Sequence, residues 1–336
     1  MLKVRVRLSV VLILVSLMSA CGLQDSKKIT KISQIAMGTL VEISAVGAPD
    51  KTKPAIYAAF QEIKRVEDLT SFHKSSGLTE LNRSGGEGAV KSDPELVELL
   101  KKSLVFSELS GGAFDATVGP LAQLWNFSGV SGPRLPDSQE VTQTLPLIGW
   151  KKLEVDADKN TISLPSKGMA VDLGAIAKGY ALDRAADKIR SFGIESALIN
   201  AGGDIVAFGT REPGKPWRIG IQDPRNPSGI IAVAEINDRA VVTSGDYERF
   251  FMEGDKRYHH ILDPQTGYPA QGVQSVTIVA PDGVTADALS TAVFVLGKRK
   301  GLDLVEAMPD VACLIVDSEG MVVMSEKARN IFQTKP

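Results

Sequence analysis

Cysteine is almost missing from this chain: Cys21 and Cys313 are the only two in 336 residues. With Cys21 modified, no intrachain disulfide would remain. Cys313 lies in the apolar run Val311–Val316 and reads as a core residue of a strand. Cysteine nucleophiles and cysteine-rich zinc sites are thereby excluded. An excess of positive charge is missing too. Lys and Arg number 38 against 40 Asp and Glu, and no basic run interrupts the body of the chain, so nucleic acid is not an expected partner. There is no internal repeat, no low-complexity segment and no Walker A loop. No Pro/Gly/Ser linker divides the chain after residue 30. What is present is ample core material, 43% apolar residues at a net charge of -2.

The first residues differ from the rest. Lys3, Arg5 and Arg7 precede an apolar run, Leu8 to Ala20, that is too short to span a bilayer as a helix. It ends in Leu17-Met18-Ser19-Ala20-Cys21, where small residues precede a cysteine. This is the form of a bacterial signal peptide, and it resembles a lipobox in which Cys21 is acylated and becomes the N-terminus. The expected organisation is a lipoprotein signal peptide over 1–20, a polar tether over 21–30 and one compact unit over 31–336. The expected location is the cell envelope, anchored by lipid to a bacterial membrane and facing the periplasm.

Hydrophobic spacing predicts the elements. Leu40 to Val46 alternates as a strand, and Ile56, Phe60, Ile63 and Val66 recur at helical intervals. Asp93-Pro94 opens a helix that stops at Gly111-Gly112. A hairpin spans Val155 to Leu164, and a helix follows Val171–Tyr180 to about Phe192. Strands are expected at 196–200, 217–222, 230–236, 248–252, 257–262 and 273–280. A helix over 285–296 and a hairpin over 312–326 close the chain. Hairpins mixed with helices indicate an α+β fold with mixed, largely antiparallel sheets and packed helices, in a length that allows two lobes.

Five constellations could carry chemistry. In Val171-Asp172-Leu173-Gly174-Ala175-Ile176-Ala177-Lys178-Gly179-Tyr180, a strand turns into a helix. Such a turn aims backbone N–H groups at an anion, Lys178 could reach a phosphate and Asp172 a polar ring edge; an N-cap aspartate beside a solvated lysine would leave the same residues. In Ala286-Asp287-Ala288-Leu289-Ser290-Thr291-Ala292, Asp287 and Thr291 share a helix face with Ser290 adjacent. That is a hard oxygen surface suited to magnesium, although Asp287 could equally sit in a helix-opening turn capped by Thr285. Tyr258-His259-His260-Ile261-Leu262-Asp263-Pro264 brings two of the three histidines to a strand end, where only one can face a given site. Asp115, after a helix break, is poised either for a ligand or for the next turn's N–H groups. The Gly202-Gly203-Asp204 and Met37-Gly38-Thr39 turns allow close approach of a ligand or a second backbone.

In sequence order these segments resemble one family, the bacterial FAD:protein FMN transferases, or ApbE-like flavin transferases. The resemblance runs from about Met37 to about Gly297. It rests on Met37-Gly38-Thr39, Phe114-Asp115-x-Thr117-Val118-Gly119-Pro120-Leu121, Asp172 to Tyr180, Gly202-Gly203-Asp204, Thr243-Ser244-Gly245-Asp246-Tyr247, His260-Ile261-x-Asp263-Pro264-x-Thr266-Gly267 and Ala286-Asp287-x-x-Ser290-Thr291-Ala292. It implies an ApbE-like fold and magnesium-dependent transfer of FMN from FAD to a Ser or Thr hydroxyl of a target protein, with release of AMP. By the same resemblance, FAD is held by Met37, Phe72, Ala113, Phe114, Asp115, Asp172, Lys178 and Ile261. The metal is held by Ala175 through its carbonyl, by Asp287 and by Thr291, with Ser290 nearby, and His260 is the general base. Phe72 stands where many members carry Tyr, so ring stacking is kept and a phenolic hydrogen bond is not. The implied acceptors are subunits of membrane redox complexes of the sodium-pumping or Rnf type. Two alternatives stay open: hydrolysis of FAD to FMN and AMP, and a non-catalytic flavin-binding lipoprotein.

Overall fold

The computed structural model describes residues 28–129 and 131–334. The expected signal peptide, Cys21 and most of the expected tether lie outside the described residues. The tether's last two residues do not stay free, because Ile29 and Thr30 open the first strand.

Eight strands form the main sheet, and their spatial order is their chain order. They are β1 (Ile29–Ala36), β2 (Thr39–Val46), β3 (Ala197–Ala201), β4 (Asp204–Phe208), β5 (Arg239–Gly245), β6 (Val273–Ala280), β7 (Ala312–Asp317) and β8 (Val322–Met324). Each pairing between neighbours in this sheet is antiparallel. The helices that matter here are α1 (Pro49–Thr70), α2 (Pro94–Leu109), α3 (Ala177–Arg190) and α4 (Gly283–Glu306). Smaller antiparallel sheets are made by Trp217–Asp223 with Asn226–Ile236 and Phe332–Thr334, by the short strands around 89–91, 154–156 and 161–163, and by the hairpin Phe250–Glu253 and Lys256–His259.

The two-residue period of the strands sorts their side chains to two faces. Val41, Ile43, Ile199, Val206, Val242, Ile278 and Cys313 join the core under the helices. Ile205, Ala207, Val241, Val279 and Leu314 join a second core under the three-stranded sheet of Trp217–Asp223. Strand β6 is buried at all eight residues, because it is covered on both faces. Ile56, Phe60, Ile63 and Val66 form the buried stripe of α1, as their spacing predicts. Each such side chain contributes roughly 1.5–3 kcal/mol on burial. Asp93 caps α2 by accepting from the Glu95 N–H at 2.8 Å.

The structure corrects several expectations. Strands β4 and β5 were not predicted. The segment before α3 forms no strand; Asn82 holds it, donating to the Val171 carbonyl at 2.8 Å and accepting from its N–H at 2.7 Å. Helix α3 opens at Ala177 after an N-cap position, Ile176, with no capping side chain, so Lys178 stands in the first turn and Asp172 well outside it. The cap of α4 is Asp282, which accepts from the Thr285 N–H at 2.7 Å; Thr285 is not the cap. Gly297 takes φ 74° and ψ 177°, so the first helical stretch ends where the sequence places it and a second follows.

Candidate active site

The site grows from one close helix crossing. A Cβ on Gly179 would lie 2.1 Å from the Gly283 carbonyl oxygen and 2.8 Å from the Asp287 Cβ. A Cβ on Gly283 would lie 2.5 Å from the Gly179 carbonyl oxygen. Only two glycines let the backbones of α3 and α4 meet this closely. Asp183 on α3 fastens the crossing, its two oxygens accepting from the N–H groups of Gly283 and Val284 at 2.7 and 2.9 Å.

The contact brings Asp287 under the start of α3. Its Oδ2 accepts from the Gly179 N–H at 2.8 Å. In an uninterrupted helix that N–H would go to the carbonyl four residues back, which belongs to Ala175. Among the described residues no other bond to that carbonyl replaces it. Asp287 is 5% exposed. Burial pushes its carboxyl up to about 7, with the nearby Asp204 carboxylate adding to the rise and the Lys178 ammonium opposing it. Lys178 Nζ pairs with Asp204 Oδ2. Burial works against the Lys178 charge, but the Asp204 and Asp287 carboxylates outweigh it and raise its pKa. Asp204 Oδ1 also accepts from the Thr243 N–H at 3.4 Å.

Strand β5 closes the other side. Ser244 Oγ lies 2.8 Å from Ser290 Oγ and 3.4 Å from Thr291 Oγ1. Ser290 donates to the Asp287 carbonyl at 2.8 Å and is fully buried, so its hydroxyl is spent on the chain. Thr291 is partly exposed. Asp287, Thr291 and the Ala175 carbonyl therefore offer oxygen donors only. Among the described residues no three His, Cys, Asp or Glu side chains converge on a metal position, so any cation here would need hydroxyl and carbonyl donors as well.

The strand expected to reach residue 262 ends at His259, and the two adjacent histidines on either side of that end differ in their surroundings. His259 is buried, its Nε2 2.9 Å from the Ala270 carbonyl oxygen and its Nδ1 accepting from the Ile261 N–H at 3.3 Å. His260 is partly exposed, and its Nδ1 is buried without a hydrogen-bond partner among the described residues. Burial, then the Arg249 and His259 charges, lower its pKa to about 3.

Met37 has φ 52° at the β1–β2 turn and donates its N–H to Glu67 Oε2 at 3.3 Å. Phe72 is partly exposed, packs against the main core and meets His73 edge-on, ring centroids 5.3 Å apart. Asp172 donates its N–H to the Ala116 carbonyl at 2.8 Å, and its Oδ1 accepts from the Gly174 N–H at 2.7 Å. Burial raises its pKa against that bond and against the His73 and Arg249 charges. Ala113, Phe114 and Ile261 are buried. Asp115 faces the chain: Oδ1 accepts from the Thr117 N–H at 2.8 Å and hydroxyl at 2.6 Å, and Oδ2 accepts from the Trp150 N–H at 2.9 Å.

Sequence reasoning missed four participants. Asp204 is the charge partner of Lys178, Ser244 holds the hydroxyls of α4, Asp183 fixes the crossing, and Arg249 puts its charge on Asp172, Lys178 and His260. The Gly202-Gly203-Asp204 and Thr243-Ser244-Gly245 segments were visible signals for the first two.

Comparison with known proteins follows the same outline. The profile of the ApbE family matches residues 37–315. The FAD:protein FMN transferase of Treponema pallidum is 33% identical over 92% of this chain and 90% of its own. That of Klebsiella pneumoniae is 34% identical over 81% and 85%. The crystal structure of the ApbE protein from Thermotoga maritima superposes with a TM-score of 0.85 at 39% identity, covering 90% of this chain and 99% of that one. The apo flavinyl transferase ApbE of Pseudomonas stutzeri gives 0.82 at 28%, covering 92% and 98%. With the same fold over nearly its whole described length, this chain belongs to the ApbE family.

Proposed function

We propose that this chain is an FAD:protein FMN transferase that uses magnesium to move FMN from FAD to a Ser or Thr hydroxyl of a target protein, with release of AMP. Its activity as a flavin transferase follows from the family and from relatives of that name on either side of 30% identity. One observation carries the metal: Asp287 is a buried carboxylate whose one hydrogen-bond donor among the described residues is a backbone N–H, on the helix face that also presents Thr291. A carboxylate so poorly solvated either holds a proton or waits for a cation. Hard oxygen donors from Asp287, Thr291 and the Ala175 carbonyl suit magnesium and do not suit zinc.

The reaction is a displacement at phosphorus. The acceptor oxygen bonds to the FMN phosphorus, the bond from that phosphorus to the bridging oxygen breaks, and AMP leaves with that oxygen. Positioning and charge neutralisation supply most of the rate in such transfers. When bound, magnesium would offset charge on the diphosphate oxygens. Lys178, buried and kept charged by its carboxylate neighbours, adds a fixed positive charge at the start of α3. Asp172 orients a polar edge of the cofactor, and Phe72, with Met37 beside the same core, gives an apolar surface for a flat ring. The neutral imidazole of His260 takes the acceptor's proton through its unpartnered Nδ1. Its low pKa describes the ligand-free site; a diphosphate beside it offsets the Arg249 and Lys178 charges and strengthens the base.

The proposed acceptors are subunits of membrane redox complexes of the sodium-pumping or Rnf type. The chain would meet them from a lipid anchor on Cys21, at the periplasmic side of the envelope. Among the described residues no helix is long and apolar enough to cross a membrane, so in this proposal the anchor does the holding. The test is mass spectrometry of a co-expressed acceptor carrying an Asp-Ser/Thr-Gly-Ala-Thr segment. An added FMN on the hydroxyl residue supports the transferase. An unmodified acceptor with FAD and magnesium present overturns it, and fast release of AMP without any acceptor would make the chain an FAD hydrolase. A binder without catalysis would show neither product.

A further inference from the structure

We propose that Arg249 grips the diphosphate of FAD, making it a phosphate-binding residue of this site that selects for the dinucleotide. The proposal rests on the flavin-transfer function above. Arg249 lies in the loop between β5 and the Phe250–Glu253 strand, and its side chain is exposed. Its backbone carbonyl accepts from the His260 N–H at 3.1 Å, so the loop is tied to the strand end that carries the base.

The guanidinium is set apart from the other cations near the site by what it lacks. Lys178 is paired with Asp204, while Arg225 and Arg257 share Asp246. Among the described residues, the one side-chain partner of Arg249 is a neutral hydroxyl, Ser128 Oγ, at 2.6 Å from Nη1. A guanidinium has five N–H donors in a planar fork, and this one spends a single donor on the chain. Among the described residues no carboxylate pairs with it, yet its charge reaches Asp172, Lys178 and His260 on three separate segments, and the neighbouring Glu248. An arginine steered by a serine, with the Asp172 and Glu248 carboxylates near it but neither paired to it, keeps its fork free for an anion that arrives from outside, and that fork matches two phosphate oxygens. Lys178 is already committed to Asp204, so Arg249 is the cation with capacity to spare. The same arginine lowers the proton affinity of the adjacent base while the site is empty. Neutralising it with a phosphate links occupancy by the right ligand to a stronger base.

The experiment compares Arg249→Gln and Arg249→Lys with the wild-type full chain, in magnesium, by flavin fluorescence titration with FAD and with riboflavin, which has no phosphate. Loss of a charge-assisted contact should weaken FAD binding by about 10- to 100-fold in Arg249→Gln while riboflavin binding stays unchanged. Arg249→Lys should fall between, because it keeps the charge and loses the fork. Unchanged FAD affinity in Arg249→Gln overturns the proposal, and so does an equal loss for both ligands, which would mark a structural role. Wild-type transfer to the acceptor segment is measured in parallel. If the wild type modifies no acceptor, the transferase function fails, whereas the ratio of FAD to riboflavin affinities still decides the role of Arg249.

Discussion

Two buried aspartates in this molecule resolve their burial in opposite ways. Asp115 is surrounded by donors of its own chain, three of them within 2.9 Å. Asp287 has one backbone N–H, a second carboxylate near it and a lysine already paired elsewhere. Burial raises the pKa of both. The difference lies in what remains to be satisfied: the first carboxylate completes a turn, and the second is left short of positive partners. His259 and His260 repeat the contrast one residue apart, the first with both ring nitrogens engaged and the second with an orphaned Nδ1. Residues whose bonding is complete hold the fold, and residues left incomplete mark where a ligand belongs.

The sharpest way to break the comparison is Asp287→Ala. Transfer should fall roughly 10³-fold, about 4 kcal/mol of barrier, while FAD binding persists. Asp287→Asn adds a stability test. The folded carboxyl titrates at about 7, above its unfolded value. The folded state therefore binds the extra proton between the unfolded value and about 7, and metal-free stability declines as pH rises through that window. The Asn variant lacks this penalty. Its melting temperature without metal should exceed that of the wild type above pH 7, with the gap closing toward pH 4. A wild-type chain that is the more stable of the two above pH 7 would mean that Asp287 is as well satisfied as Asp115.

Next in size is Gly179→Ala, which attacks the crossing that brings Asp287 into place. The added methyl has backbone of Gly283 at 2.1 Å, and backbone cannot swing aside. Overpacking should cost about 3 kcal/mol in denaturant unfolding and remove transfer as well. A full melting temperature in this variant would show that α3 and α4 approach less closely than described.

His260→Gln should slow transfer by about 10²-fold, near 2.7 kcal/mol, the low end for a positioned base because the imidazole is a weak one here. The pH profile sharpens this. With magnesium saturating, so that Asp287 is held ionised, the acid limb of kcat/KM reports the FAD-free enzyme and should lie well below the ordinary histidine value, toward about 3. The limb of kcat reports the FAD complex and should lie higher, since bound phosphate offsets the cationic neighbours. Limbs at the same pH would remove the electrostatic link between ligand and base. His259→Gln, by contrast, should act on stability.

Much of the fold was legible because most elements carry a clean period. The buried stripe of α1, the Asp93-Pro94 start of α2 and the continuous apolar run of β6 each follow from sequence alone. Strand β5 was not legible, and its reason is functional. Ala240, Val241 and Val242 begin it as a strand, but Thr243 and Ser244 then spend its end on Asp204, Thr277 and Ser290. A site interrupts the pattern that would have revealed its scaffold. The crossing was hidden for another reason. Gly179 looks like an unfavourable helix residue until Gly283, far along the chain, is seen against it. Asp183 and Arg249 announce nothing locally, since their roles are set by segments distant in sequence.

Asp115 shows the same limit and gives the smallest effect. From sequence it could equally serve a ligand or the next turn, and Trp150, thirty-five residues on, gives its Oδ2 a donor within the chain. Asp115→Asn keeps an oxygen for the Thr117 N–H and hydroxyl but turns an amide NH₂ toward the Trp150 N–H. Two donors then face each other in a buried place, which should cost about 2 kcal/mol of stability. The magnesium concentration for half-maximal transfer should not move, because no bond of Asp115 reaches α4. A stable variant with weakened FAD binding would instead place this carboxylate against the cofactor, and would erase the distinction between an aspartate that finishes the fold and one that waits for a cation.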